Sequence, residues 1–240
     1  GNGVHLDTAA STLYYAKDLL MSVVLQPSAT DTIDGAAAGA IMGYYRSDAT
    51  SYAANVSIDF NEFATASDTT KIYAVDYAGN RALLCTLTLV ADNAAPEITG
   101  TLSEGLVYSD GLLSHGDTIT SGTSYYTNGG GYKVALTIPA PISGIADIGA
   151  NDSTMLTGSG TSWLLSAVAG ASEGTEGTVT VTATSKVGRT TAFVLKTTRD
   201  TTGPALSNLV LTNRDNHSVN KNASGVIFYN PGSVRASATV

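Results

Sequence analysis

A single cysteine, Cys85, stands among the 240 residues, so no intrachain disulfide can form. Stability has to come from core burial instead. Cys85 lies in the apolar run Ala82-Leu83-Leu84-Cys85, where a small buried thiol is the expected role. Charge is scarce too: Asp, Glu, Lys and Arg make up 13 % of the chain, against a usual share of roughly 25 %. Twelve Lys and Arg are spread among twenty Asp and Glu, giving a net charge of −8 with no basic cluster. Phosphate backbones need concentrated cations, which excludes nucleic acid as a partner. Long hydrophobic runs are missing as well. The most apolar stretch, 36–45, is about half the length of a membrane-spanning helix. It follows Asp34 and precedes Arg46, so no membrane insertion is expected of this segment. No signal peptide or sorting motif is visible, and Glu/Lys/Ala-type helical runs are absent.

What the chain does contain favours strands. Apolar residues reach 43 %, enough for a packed core and against disorder. Thr and Val are β-branched and suit a pleated surface, and 25 glycines supply turns. The reading is all-β.

Internal periodicity then organises the chain. YAVDYAGNRALLCTLTLVADNAAP (73–96) runs strand-like, turns at Ala-Gly-Asn, runs strand-like again and stops at Asp and Pro. VTATSKVGRTTAFVLKTTRDTTGP (181–204) does the same, with Pro204 placed 108 residues after Pro96. Gly79 and Gly188 stand where a left-handed turn residue is needed. Aromatic pairs recur at Tyr14/Tyr15, Tyr125/Tyr126 and Phe228/Tyr229, each followed by a turn and an alternating strand. His5, His115 and His217, each with an Asp close by, echo the same period of roughly 105 to 110 residues. A unit of that length with short strands predicts a two-sheet immunoglobulin-like sandwich. In the middle unit, strands are expected near 98–107, 132–138, 145–148, 163–168, 177–184 and 190–198. Proline cannot pair in a central strand, so Pro96 and Pro204 mark seams. The expected division is 1–94, lacking its first strand, then 95–202, then a partial third unit at 203–240. The chain reads as a window on a longer array.

Val75-Asp76-x-Ala78-Gly79-Asn80, the linker from Asp92 to Pro96, Tyr125-Tyr126-Thr127-Asn128 and Ser143-Gly144-Ile145 resemble the bacterial immunoglobulin-like (Big-type) tandem repeats of large surface and adhesin proteins. The second unit departs from this pattern, with Ser185 for the Asp and Arg189 for the Asn. The resemblance implies modules that serve as stalks, spacers or binders, and in some members calcium near the junctions. Asp76, Asn80 and Asp92 are the oxygen donors that could hold calcium here; no other cofactor is implied. Against this, Asp76 and Asn80 suit a turn capped by side-chain bonds to its backbone.

No catalytic constellation emerges, and an enzyme is not expected. Ser114-His115-Gly116-Asp117 is a local string, whereas triad members come from separate elements. Gly129-Gly130-Gly131 lacks the Lys-Ser/Thr of a phosphate loop. The histidines are expected to bond locally, Trp163 to lie in the core, and one ring of Tyr14/Tyr15 to face out. The function expected is a stalk or spacer segment of an extracellular, bacterial cell-surface or fibre protein, its partners the neighbouring immunoglobulin-like repeats. The alternatives are modules that bind a host glycan or protein, and a filament subunit that polymerises by strand donation.

Overall fold

The computed structural model describes residues 2–30, 41–63, 67–205, 208–213 and 234–239. His217, Asp215, Phe228 and Tyr229 of the third echo lie outside them. The described chain is all-β, in β-sandwich domains, with two single-turn 3-10 segments, Phe60–Glu62 and Ser153–Met155, as its helical elements. Among the described residues no helix is long and apolar enough to cross a membrane. The chain forms two compact units, 1–199 and 200–240.

In the first unit the strands run β1 (Val4–Asp7), β2 (Thr12–Tyr15), β3 (Ser22–Leu25), β4 (Ile41–Arg46), β5 (Val56–Asp59), β6 (Ser67–Asp76) and β7 (Arg81–Ala91). After Pro96 follow β8 (Thr99–Glu104), β9 (Val107–Tyr108), β10 (Leu112–Leu113), β11 (Thr118–Ile119), β12 (Ser124–Thr127) and β13 (Lys133–Thr137). The series continues with β14 (Ile145–Ala150), β15 (Leu156–Ser159), β16 (Ser162–Ser166), β17 (Glu176–Ser185) and β18 (Thr190–Arg199). The second unit is the antiparallel hairpin β19 (Asn208–Asn213) with β20 (Val234–Thr239).

Within 1–199 there are two separate cores. Leu13, Tyr15, Ile58, Phe60, Leu87 and Leu89 form the first. Leu102, Val107, Tyr132, Val134, Leu136, Phe193 and Leu195 belong to the second. The alternation that builds them is plain in β17 and β18, where Val179, Val181, Phe193 and Leu195 turn inward with Thr197, and Thr178, Thr180 and Thr182 lie on the other side.

The two cores are covered alike on one face. One sheet has the order β1-β2-β7-β6-β4 and the other β10-β9-β12-β18-β17-β14. In each, a short strand runs parallel to the last long one, β2 with β7 and β12 with β18. Each also has a register shift at the same place, between Ile41 and Gly43 and between Ile145 and Asp147. The opposite faces differ. β13 pairs on both sides, with β16 and β8. Among the described residues β3 pairs only with β5. Val134 and Leu136 are accordingly buried, whereas Val23 and Leu25 at the corresponding points stay half-buried.

The aromatic echo is out of step by one residue. Tyr14 pairs with His5 and Tyr126 with Tyr108, so Tyr14 and Tyr126 occupy equivalent outer places. Tyr15, fully buried against the Phe60 ring at 4.2 Å, corresponds to buried Thr127. The second core takes its tyrosine volume from Tyr125, one place before Tyr126 in its strand, and from Tyr132. The histidine echo dissolves with it: His5 lies in β1, whereas His115 lies in the turn between β10 and β11. Trp163 sits at the rim of the core, half-buried, its indole N–H donating to Gly160 O at 3.0 Å.

Candidate functional site

The two last hairpins use the same turn chemistry. In the first, Gly79 adopts φ +86° and its N–H donates to Asp76 O. Asp76 Oδ1 accepts the Asn80 backbone N–H and Oδ2 accepts the Asn80 side-chain amide, both at 2.7 Å. Those bonds, the side-chain amide foremost, hold the Asp76 carboxyl below its ordinary pKa. In the second, Gly188 takes φ +96° and Ser185 Oγ accepts the Arg189 N–H at 3.0 Å. A serine suffices as the turn acceptor, and Arg189, freed from Asn80's task, reaches elsewhere.

It reaches the seam between the two cores. Arg189 Nε donates to Asp92 O at 3.3 Å, and its guanidinium pairs with the Asp18 carboxylate. Asp92 is 1 % exposed; its Oδ2 accepts the Ser143 N–H at 3.1 Å and its own N–H donates to Tyr15 O at 2.7 Å. Gly3 N–H donates to Val187 O at 2.8 Å, joining the start of the chain to the β17–β18 turn. Pro96 is buried but lies outside any strand. The seam therefore ties residues before β1, after β2, after β7, before β14 and in the β17–β18 turn. Of the two buried Asp92 carboxylate oxygens, Oδ2 has the Ser143 N–H as donor, while Oδ1 has no hydrogen-bond partner among the described residues. A buried carboxylate without any donor costs several kcal/mol or more.

The three candidate calcium ligands do not converge. Asp76 and Asn80 bond each other, while Asp92 lies beyond the far end of the 11-residue β7. A strand of that length spans on the order of 30 Å. Among the described residues no group of three or more His, Cys, Asp or Glu is placed to hold a metal ion. Of the seam residues, the sequence marks Ser143 as part of the Ser143-Gly144-Ile145 motif and Arg189 as a departure from Asn80, neither of them as a seam contact, and it does not mark Asp18.

Cys85 is half-buried and lines an apolar cavity of about 270 Å³ with Leu6, Leu25, Ile72 and Leu87. Burial pushes its thiol pKa up, which leaves it protonated and unreactive near neutrality.

No protein-family model matches the chain, and no curated protein matches it. Among solved structures it is similar to the fibronectin(III)-like modules of Clostridium thermocellum CbhA. The identity is 15 % over 70 % of this chain and 83 % of that chain, with a TM-score of 0.33. It is also similar to the sialic acid binding region of the Streptococcus sanguinis SK1 adhesin bound to 3'sLn. There the identity is 14 % over 79 % of this chain and 73 % of that chain, with a TM-score of 0.24.

Proposed function

We propose that the chain is a stalk or spacer segment of an extracellular bacterial surface or fibre protein. Its immunoglobulin-like modules span 1–94 and 95–202, and a third begins at 203. One observation carries this reading: the seam around Asp92. A spacer transmits direction and load only when its joints resist bending, and a flexible Gly/Ser-type connection does not. Here the joint is short, its carboxylate is buried and hydrogen-bonded across the seam, and Arg189 bridges to two segments of the first module. The Arg189–Asp18 pair is solvent-facing on the Asp18 side and contributes at most about 1 kcal/mol. Asp92 matters more. Removing its carboxylate leaves the buried Ser143 N–H without its acceptor, at a cost of roughly 1–3 kcal/mol.

The experiment is a distance distribution across the seam. Spin labels are placed at the exposed positions Asn61 and Thr161 in a Cys85→Ala background. A narrow single peak is expected, broadening in the Asp92→Ala/Arg189→Ala double variant. A native distribution already as broad as that of the variant contradicts a stiff joint.

A further inference from the structure

The outer side of the β4–β6 pair carries a concave, tyrosine-lined site with an arginine, Arg81, at its edge. Loop 47–55 folds back over β4, held by Tyr44 N–H to Ala53 O at 2.7 Å and Ala53 N–H to Tyr44 O at 2.9 Å. Gly43 permits this approach, since a Cβ there would stand 3.0 Å from Ala53 O and 3.2 Å from the Tyr52 ring. Between the loop and the β6–β7 turn opens a cavity of about 300 Å³, lined chiefly by Tyr45, Thr50, Ser51, Tyr52, Tyr77 and Arg81. Tyr45 stacks on Tyr73 with centroids 5.2 Å apart, and the Arg81 guanidinium lies 5.3 Å from the Tyr45 centroid. Tyr52 and Tyr77 expose 51 % and 69 % of their surface.

Two features mark this as more than a polar surface. First, no carboxylate lines the cavity, and Arg81 has no carboxylate partner among the described residues, in a chain of net charge −8. Second, the other module is an internal control. It builds the same strand pair with the same register shift, yet places Gly149 opposite Thr182 where the first places Tyr45 opposite Tyr73. At the corresponding points of its last hairpin it has Lys186 and Thr190 in place of Tyr77 and Arg81. The fold thus forms without the aromatic and cationic cluster.

We propose that this cavity binds a carboxylate-bearing saccharide, a uronic or nonulosonic acid at the end of a glycan. Tyrosine rings offer apolar faces to the C–H side of a pyranose, and their hydroxyls with those of Thr50 and Ser51 suit its alcohols. Arg81 supplies a planar fork for one carboxylate. A single cation matches a monoanion better than a phosphate dianion, and the cavity volume lies at the small end of ligand sites, room for one or two rings. The site goes beyond the spacer role, and the seam can be stiff whether or not this cavity is filled.

The test uses the full chain with 3′-sialyllactose, a glucuronic acid-terminated trisaccharide and lactose, read by saturation-transfer NMR and calorimetric titration. At least one acidic sugar is expected to bind saturably, with affinity falling by about tenfold or more in Arg81→Ala. Tyr52→Ala is expected to weaken it as well, with thermal midpoints of both variants unchanged. Lactose bound as tightly as the acidic sugars, or native affinity retained by Arg81→Ala, overturns the proposal. So does the lack of saturation transfer for both acids at roughly 10 mM, weaker than any specific site of this size.

Discussion

At the scale of single residues, Tyr132 reports on the second core. Its side chain is 2 % exposed, and its hydroxyl shares a hydrogen bond with Thr197 Oγ1 at 2.8 Å. Burial pushes the phenol pKa up to about 12, the Thr197 bond opposing that rise. The fold therefore favours the neutral phenol. Its contribution is fully present below the unfolded value near 10 and is lost as pH climbs through about 12, a loss of roughly 2–3 kcal/mol. Tyr132→Phe is expected to give up about 1 kcal/mol near neutrality, with its bond to Thr197, and to show a flatter loss of stability between pH 10 and 12. Denaturant titrations at several pH values check this, and parallel slopes for the two proteins contradict it. Residue roles were legible in the sequence where the physics is local. Asp76, Gly79 and Asn80 read as a turn because their bonds close within five residues. Asp92 reads as a linker residue and an oxygen donor but not as a partner of Ser143, which is 51 residues away with no periodicity pointing to it.

At the scale of elements, strands were easier to find than their register. Those expected near 145–148, 177–184 and 190–198 appear as β14, β17 and β18, the latter two marked by alternation of Val, Phe and Leu with Thr. The aromatic pairs looked equivalent, yet a one-residue offset turns Tyr15 inward and Tyr126 outward, and sequence spacing does not resolve such a slip. The short strands β10, β11 and β15 escaped notice, two to four residues being too few for a pattern. Packing between sheets also depends on pairs that sequence does not join. Gly100 in β8 lies under Phe193 of β18, where an added Cβ would stand 2.8 Å from Cζ of the ring and 3.0 Å from Val134 Cγ1. In the first module Cys85 occupies the place of Phe193, opposite Ile72 as Phe193 is opposite Val181. Gly100→Ala is expected to cost about 1–3 kcal/mol by overpacking. Gly131→Ala, in open space, should stay within about 0.5 kcal/mol. Adding Phe193→Leu to Gly100→Ala should recover part of the loss. Strict additivity in that double-mutant cycle contradicts the contact.

At the scale of the whole molecule, the claim is that 1–199 holds two separately cored β-sandwiches joined by a hydrogen-bonded seam. Proline ends pairing and Pro96 lies outside any strand, but nothing local in the sequence points to the contacts that Arg189 makes with Asp92 and Asp18. The parallel pairs β2·β7 and β12·β18 set short early strands against the last strand of each module. Single-molecule stretching of the full chain tethered at both ends tests the claim most directly. Two discrete rips are predicted, one for β1–β7 and one for β8–β18, each releasing about 30 to 35 nm of chain at roughly 3.5 Å per residue. A single rip releasing about 65 to 70 nm would mean one cooperative body and would contradict the account.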